Sequence, residues 1–81
     1  MTIKLIRNSE LIHRRGKSKS SHYEDIALGL FVPPIQIGDR AVATPEHELE
    51  QMLNAQISGA TKDELRTIVK KILADRKGVR Q

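Results

Sequence analysis

Apolar residues recur at the spacing of a single helix face in three stretches of the chain. The three sets are Tyr23, Ile26, Ala27 and Leu30; Leu49, Met52, Leu53 and Ile57; and Leu65, Ile68, Val69, Ile72 and Leu73. Positions three and four residues apart lie on one side of an α-helix, so each set predicts a helix with one buried face. The last set follows the capping-box sequence Thr61-Lys62-Asp63-Glu64, which predicts a helix over about residues 62–76.

A shorter helix is predicted before these three. Asn8 or Ser9 is its expected N-cap, and Gly16 is expected to end it with left-handed backbone, so it covers about residues 9–15. Ser18 is the next available cap and starts the helix that carries Tyr23. A helix, a glycine-containing turn and a second helix form the helix-turn-helix outline, which many helical hairpins share.

The segment between the second and third helices is predicted to be extended. Pro33 and Pro34 each disfavour helix in the preceding residue. Two short alternating runs, residues 35–37 and 41–43, flank Gly38-Asp39-Arg40, which is the pattern of a β-hairpin. The side chains expected to face inward are Ile35, Ile37 and Val42.

The hairpin is followed by Thr44-Pro45-Glu46, a pattern typical of a helix start. Thr44 is the expected cap, Pro45 the first helical residue and Glu46 the acid of the first turn. At the other end of this unit, Ile3 and Leu5 alternate with polar residues and predict a short extended segment.

The length of 81 residues and the absence of cysteine limit the classes of function. A chain this short buries a small core, so a binding module is more plausible than an enzyme with a deep cleft. We expect no disulfide framework, no membrane span and a cytoplasmic location. His13, His22 and His47 share no metal-ligand spacing, and no nucleophile–base pair is visible. The expectation is therefore no catalysis, no metal, no cofactor and no small-molecule substrate.

Charge is segregated along the chain. Residues 1–22 carry six cations and one anion, residues 23–60 one cation and six anions, and residues 61–81 seven cations and three anions. Such a distribution suits either a surface that meets a polyanion or a set of solvated helix faces. Tyr23 and Phe31 are the only aromatic residues, which is too few for a base-stacking surface on single strands, so duplex DNA is the better candidate.

One family combines these elements in this order. The motifs are Glu10, GKSKSSHY (16–23), GLFVPPIQIGDRAV (29–42) and a helix start with Glu46, Glu48 and Leu49. In these motifs the chain resembles the AlpA-like transcriptional regulators of phages, prophages and other mobile elements. That family is related to small excisionases and to the DNA-binding domain of MerR-type regulators. The resemblance covers about residues 5–57, and its most specific part is the GLFVPP segment with the hairpin behind it.

The resemblance implies a winged helix-turn-helix, mainly α with a small β-hairpin as the wing, and the capping box and apolar spacing after it add an extra C-terminal helix. Residues 1–60 would form the DNA-binding domain, and residues 61–81 an amphipathic helix with a basic tail. It also implies a sequence-specific regulator bound to double-stranded DNA at the bacterial nucleoid, with an excision role open to the same contacts. The expected base readers are Ser18, Ser20, Ser21 and His22, and the expected phosphate binders are Arg14, Arg15, Lys17, Lys19 and Arg40.

The arginines and serines among these residues also have a plainer interpretation. In it, the arginines at 14 and 15 serve only the dipole at the end of the first helix, the serines only cap the second, and Arg40 pairs with Asp39. Tyr23 is expected in the core. Glu24 puts an anion on the predicted recognition helix, where it either accepts a hydrogen bond from cytosine N4 or repels phosphate.

The predicted last helix leaves two further alternatives open. Its five apolar residues, from Leu65 to Leu73, either pack on the domain or pair with a second copy in a homodimer or a cooperative array on DNA. The rival function is a protein–protein adaptor that binds a host protein through the acidic middle of the chain and this helix.

Overall fold

A computed structural model of the protein describes residues 3–79. Its elements are β1 (Leu5–Arg7), α1 (Asn8–Arg15), α2 (Lys19–Ala27), β2 (Ile35–Gln36), β3 (Val42–Pro45), α3 (Glu46–Ile57) and α4 (Lys62–Val79). Helices α1 and α2 form the helix-turn-helix, and the hairpin of β2 and β3 forms the wing. This confirms the predicted fold, which is mainly α with a small hairpin and an extra C-terminal helix.

The sheet contains one strand that the hairpin pattern does not predict. The strand order is β1-β3-β2, and both pairs are antiparallel. The pattern at the start of the chain predicts only an extended segment, and pairing with β3 places Leu5 opposite Pro45. At the other end of the sheet, the Ile37 amide donates to the Ala41 carbonyl at 2.9 Å and closes the wing. The wing is therefore anchored to the helix-turn-helix through the central strand.

The inward-facing residues of the hairpin differ from the prediction. Ala43 is fully buried, Ile35 and Val42 are half-buried, and Ile37 is 44 % exposed. The prediction for Ile37 is wrong because β2 ends at Gln36, and the backbone beyond it extends past the core into the wing turn.

The core lies between the sheet and all four helices. Leu11, Phe31, Leu49 and Met52 have no exposed surface. From α4, the residues buried in the same cluster are Leu65, Val69 and Ile72, with Ile68 and Leu73 packed against it. Helix α4 thus packs on its own domain, which is one of the two arrangements expected for its apolar residues.

A buried ion pair fastens the far end of α4 to the rest of the fold. The Arg76 Nε donates to Glu48 Oε2 at 2.9 Å, and a terminal nitrogen donates to the Pro33 carbonyl at 2.9 Å. Glu48 is only 2 % exposed. One arginine therefore joins α4 to α3 and to the double-proline segment.

The helix ends confirm some predicted caps and correct others. Gly16 ends α1 with φ 69°, and the Thr61–Glu64 capping box forms with bonds of 2.9 and 3.1 Å. Neither Asn8 nor Ser9 caps α1, because the backbone at Arg7 continues directly from β1 and makes no side-chain cap. Likewise Thr44 is a buried residue of β3, and Pro45 occupies the N-cap of α3.

Three apolar positions that the helical spacing places on a buried face are exposed. Tyr23 is 41 % exposed, Ile57 is 83 % exposed, and Ala27 is exposed as well. Helix α2 instead buries His22 and Asp25, and α3 reaches past the core before it ends at Ile57. The predictions that Tyr23, Ala27 and Ile57 lie on buried helix faces are therefore wrong.

Candidate nucleic-acid interface

Helix α2 presents a continuous exposed face. The residues on it that are exposed to solvent are Lys19, Ser20, Tyr23, Glu24 and Ala27, with Leu28 directly after the helix. With about 100° per residue, Ser20, Glu24 and Ala27 lie on the side of the helix opposite His22 and Asp25. We call these three residues the α2 ridge. A helix held by one face with a free ridge on the other has the geometry needed to enter a DNA major groove.

A compact cluster under α2 holds the two helices of the motif at a fixed angle. Arg15 is 1 % exposed in its side chain, and its guanidinium lies 4.0 Å from the ring centroid of Phe31. The His22 ring makes an edge contact with the same Phe31 ring at 5.3 Å between centroids. Arg15 and His22 therefore pack on the first aromatic residue after the helix-turn-helix.

A hydrogen bond links the two polar side chains of this cluster. The Arg15 NH1 group lies 2.7 Å from His22 Nδ1. Arginine can only donate, so Nδ1 is the acceptor and the neutral ring carries its proton on Nε2. Burial, and next the positive charge of Arg15, lower the pKa of His22 below its ordinary value of 6.5. The ring is thus kept neutral beside the arginine.

Asp25 balances the cations of the turn. Its Oδ2 accepts from Arg15 at 2.9 Å and from the Lys17 ammonium. Burial by itself would raise the pKa of Asp25, but the hydrogen bonds from Lys17 and Arg15 outweigh it and lower the pKa below 3.8. One carboxylate therefore neutralises one of two cations, and Lys17, with its side chain 33 % exposed, is the one that solvent or a ligand can reach.

These contacts correct two of the predicted DNA contacts. His22 has no exposed surface and Arg15 has almost none, so both serve the core of the motif rather than bases or phosphates. The apolar stripe predicted for α2 is displaced by one residue from the buried face. The prediction puts Tyr23 inside and His22 outside, and the structure has the reverse. His22 is buried against the Arg15 guanidinium and the Phe31 ring. The spacing of residues within α2 does not indicate either neighbour.

The other predicted residues of the turn are accessible. Ser18 Oγ accepts from the Ser21 amide at 3.2 Å and caps α2. Lys19 and Ser20 are exposed in the first turn. Arg14 donates to Glu46 at 2.9 Å in a pair whose side chains are 31 % and 29 % exposed. The exposed charge at the start of α2 is therefore cationic.

The wing carries an exposed cation near its tip. Arg40 is exposed and forms no ion pair with any of the described residues, including Asp39. The Gln36 side chain donates to the Gly38 carbonyl at 3.1 Å and supports the turn. The wing thus presents Arg40 outward on a braced loop.

Two exposed residues of α2 are absent from the predicted set of DNA contacts. Tyr23 is half exposed, and its hydroxyl accepts from Asn8 Nδ2 at 2.8 Å, which orients the ring at the junction of α1 and α2. Glu24, for which the sequence leaves base contact and repulsion open, is on the exposed face. Helical spacing from Ser20 would have predicted both, because residues three and four places later in a helix lie on the same side.

A second concave surface lies away from α2. It is a groove of about 340 Å³ lined by residues of the sheet, α3 and α4, among them Leu5, Ile35, Pro45, Gln51 and Ile72.

Neither a metal-binding cluster nor a membrane-spanning helix occurs in the described part of the chain. It brings no three His, Asp or Glu side chains together in a way that would hold a metal ion. None of its helices is long and apolar enough to cross a membrane.

Comparison with known families agrees with this architecture. The family described as prophage CP4-57 regulatory protein (AlpA) matches residues 4–57, which run from β1 to the end of α3. No curated protein and no solved structure matches the chain significantly. The matched segment contains the whole helix-turn-helix, the wing and α3, and the chain therefore belongs to the AlpA family of prophage regulatory proteins.

Proposed function

We propose that this protein binds double-stranded DNA at a specific sequence and regulates transcription for a phage or mobile element. Helix α2 enters the major groove with its ridge toward the base edges, and the wing reaches the adjacent backbone. The observation that carries this proposal is the free ridge of α2, held from below by the buried Arg15–His22–Phe31 cluster. The same contacts would also serve an excision factor.

The roles follow from what each side chain exposes. Lys19 and the accessible Lys17 lie where the sugar–phosphate walls of the groove pass the start of α2, and Arg40 lies where the wing meets the backbone. Ser20 faces the bases, while Ser18 and Ser21 set the cap that aims the helix. Arg14 shares its charge between Glu46 and a nearby phosphate.

The charge at the start of α2 supports an anionic partner. A cation beside the N-terminus of a helix loses about 0.3–1 kcal/mol to the helix dipole when it is exposed. Phosphate groups docked at the same end offset that cost, since the free N–H groups and the lysines both attract the same anion. A placement that is unfavourable in the free protein becomes favourable in the complex.

The test is fluorescence anisotropy with a labelled duplex from upstream of the protein's own gene and with a scrambled duplex, each at several salt concentrations. We expect tighter binding to the native duplex and a steep linear fall of log K with log salt. Equal and weak binding to both duplexes, with a shallow salt slope, would contradict the proposal. Titration to saturation gives the number of copies per duplex and so tests a dimer or array.

Two variants localise the interface. Lys19→Ala together with Arg40→Ala should reduce the salt slope by about two, roughly one for each phosphate that the protein no longer neutralises. Lys71→Ala is the matched control, because it removes an exposed lysine from α4, outside the residues that the family matches. A slope that falls only in the control would place the DNA on another face.

A further inference from the structure

The α2 ridge has an acidic residue at its centre. Glu24 lies one helical turn after Ser20 and almost one turn before Ala27, and all three side chains are exposed. The buried residues His22 and Asp25 lie on the opposite side of the same helix. Of the three ridge residues, Glu24 carries the only charge and the longest side chain.

Among residues 3–79, no contact within the fold accounts for the Glu24 carboxylate. It forms no ion pair with any of the described residues, and its neighbours three and four places away along the helix are uncharged: Ser20, Ser21, Ala27 and Leu28. It also lies beyond the first turn, where an acid would complement the helix dipole. Helix pairing and capping thus do not account for an anion at this position.

The chemistry of the major groove selects a partner for such a group. A carboxylate can only accept hydrogen bonds, and phosphates on the groove walls repel it. Guanine presents two acceptors in the major groove, thymine an acceptor and a methyl group, and adenine an acceptor beside its donor. Cytosine presents the N4 amino group as a donor, so it is the base whose edge best matches a lone carboxylate.

We propose that Glu24 is a specificity-determining residue that selects cytosine at one base pair of the recognised sequence by accepting a hydrogen bond from its N4 amino group. This inference rests on the proposed function, because it requires the α2 ridge to face the bases. In this arrangement the cations at the start of the helix bind the DNA backbone, and the middle residue of the ridge recognises a base.

The substitution Glu24→Gln separates this role from simple repulsion. Glutamine has nearly the same shape but pairs best with adenine, through the N6 donor and the N7 acceptor. If Glu24 reads a base, the variant changes the preference at one position from cytosine to adenine. If the carboxylate only repels phosphate, the variant binds every duplex more tightly by the same factor.

The experiment is selection from a randomised duplex pool with the wild-type protein, with Glu24→Gln and with Glu50→Gln, which removes an exposed glutamate from α3. Circular dichroism confirms that each variant is folded. Affinities of the selected duplexes and of single-base changes are then measured by anisotropy. We expect wild type and Glu50→Gln to prefer cytosine at one shared position by about 5- to 150-fold, and Glu24→Gln to lose that preference while the other positions stay unchanged.

Two results would overturn the inference, and they are distinct. A uniform gain in affinity for Glu24→Gln with the same selected sequence would show that the carboxylate does not read a base, while the DNA-binding function stands. Failure of the wild-type protein to enrich any sequence would remove the proposed function itself and the inference with it.

Discussion

Replacement of Arg76 by methionine should destabilise the fold strongly, although Arg76 lies outside the segment that the family matches. In the wild-type protein the guanidinium bonds both oxygens of Glu48 and the Pro33 carbonyl. Methionine keeps much of the length of the side chain but leaves the Glu48 carboxylate, 2 % exposed, without its cation. Removal of one partner from a buried ion pair costs about 3–5 kcal/mol.

That loss is large for a protein of this size. At about 0.05–0.15 kcal/mol per residue, an 81-residue chain is stable by roughly 4–12 kcal/mol. Arg76→Met should therefore remove about a quarter or more of the free energy of unfolding at 25 °C. Urea titration followed by circular dichroism at 222 nm measures the difference.

Two companion variants make this prediction refutable. Lys70→Met changes an exposed residue of the same helix in the same way and should stay within about 0.5 kcal/mol of wild type. The double variant Glu48→Leu with Arg76→Met removes both charges and should be more stable than Arg76→Met alone, since no unpaired charge remains buried. A loss below about 1 kcal/mol for Arg76→Met, or a double variant less stable than the single one, would refute the role given to this ion pair.

Three further outcomes are expected. The free energy of unfolding should fall as pH drops below about 6.5. Burial and the charge of Arg15 keep the pKa of His22 low in the folded state, while the histidine of the unfolded chain takes up the proton. Urea titrations at pH 7.5 and 5.5 measure this difference, and equal free energies at the two pH values would contradict it. Thr61→Ala should cost about 1 kcal/mol by loss of the capping box at the start of α4, measured by the same titration, and no change would mean that the cap is not formed in solution. Ile57→Ser should change stability by less than about 0.5 kcal/mol, because the side chain is 83 % exposed, and a shift in thermal midpoint of several degrees would show that Ile57 is covered in solution.

Most of the elements of this fold can be predicted from local patterns. The glycine at 16, the cap at Ser18 and the capping box at Thr61 act over four residues or fewer, and all three form as expected. The apolar period of the last helix likewise identifies its buried face, with Leu65, Val69 and Ile72 in the core. These local patterns predict the structure correctly because the hydrogen bonds and packing contacts that they reflect lie within about one helical turn.

The candidate site can be predicted less completely. Its location at the start of α2 and at the wing follows from the cluster of cations and from the resemblance to the family. The choice between neighbouring residues does not, because the apolar spacing favours Tyr23 as the buried ring, whereas the fold buries His22 beside it. Only the packing against Phe31 makes His22 the buried one.

By itself, the sequence determined the order of the helices and the hairpin, the caps and turns that separate them, and the family to which the chain belongs. The tertiary structure decided which polar groups are buried, since their partners come from distant positions: Arg15 meets Asp25 ten residues away, and Arg76 meets Glu48 28 residues away. A charge enters the core only when such a partner offsets the loss of its hydration. Neighbouring residues in the sequence do not show whether such a partner exists. Because His22 and Asp25 find their partners in the interior, the opposite side of α2, with Ser20 and Glu24, faces the solvent.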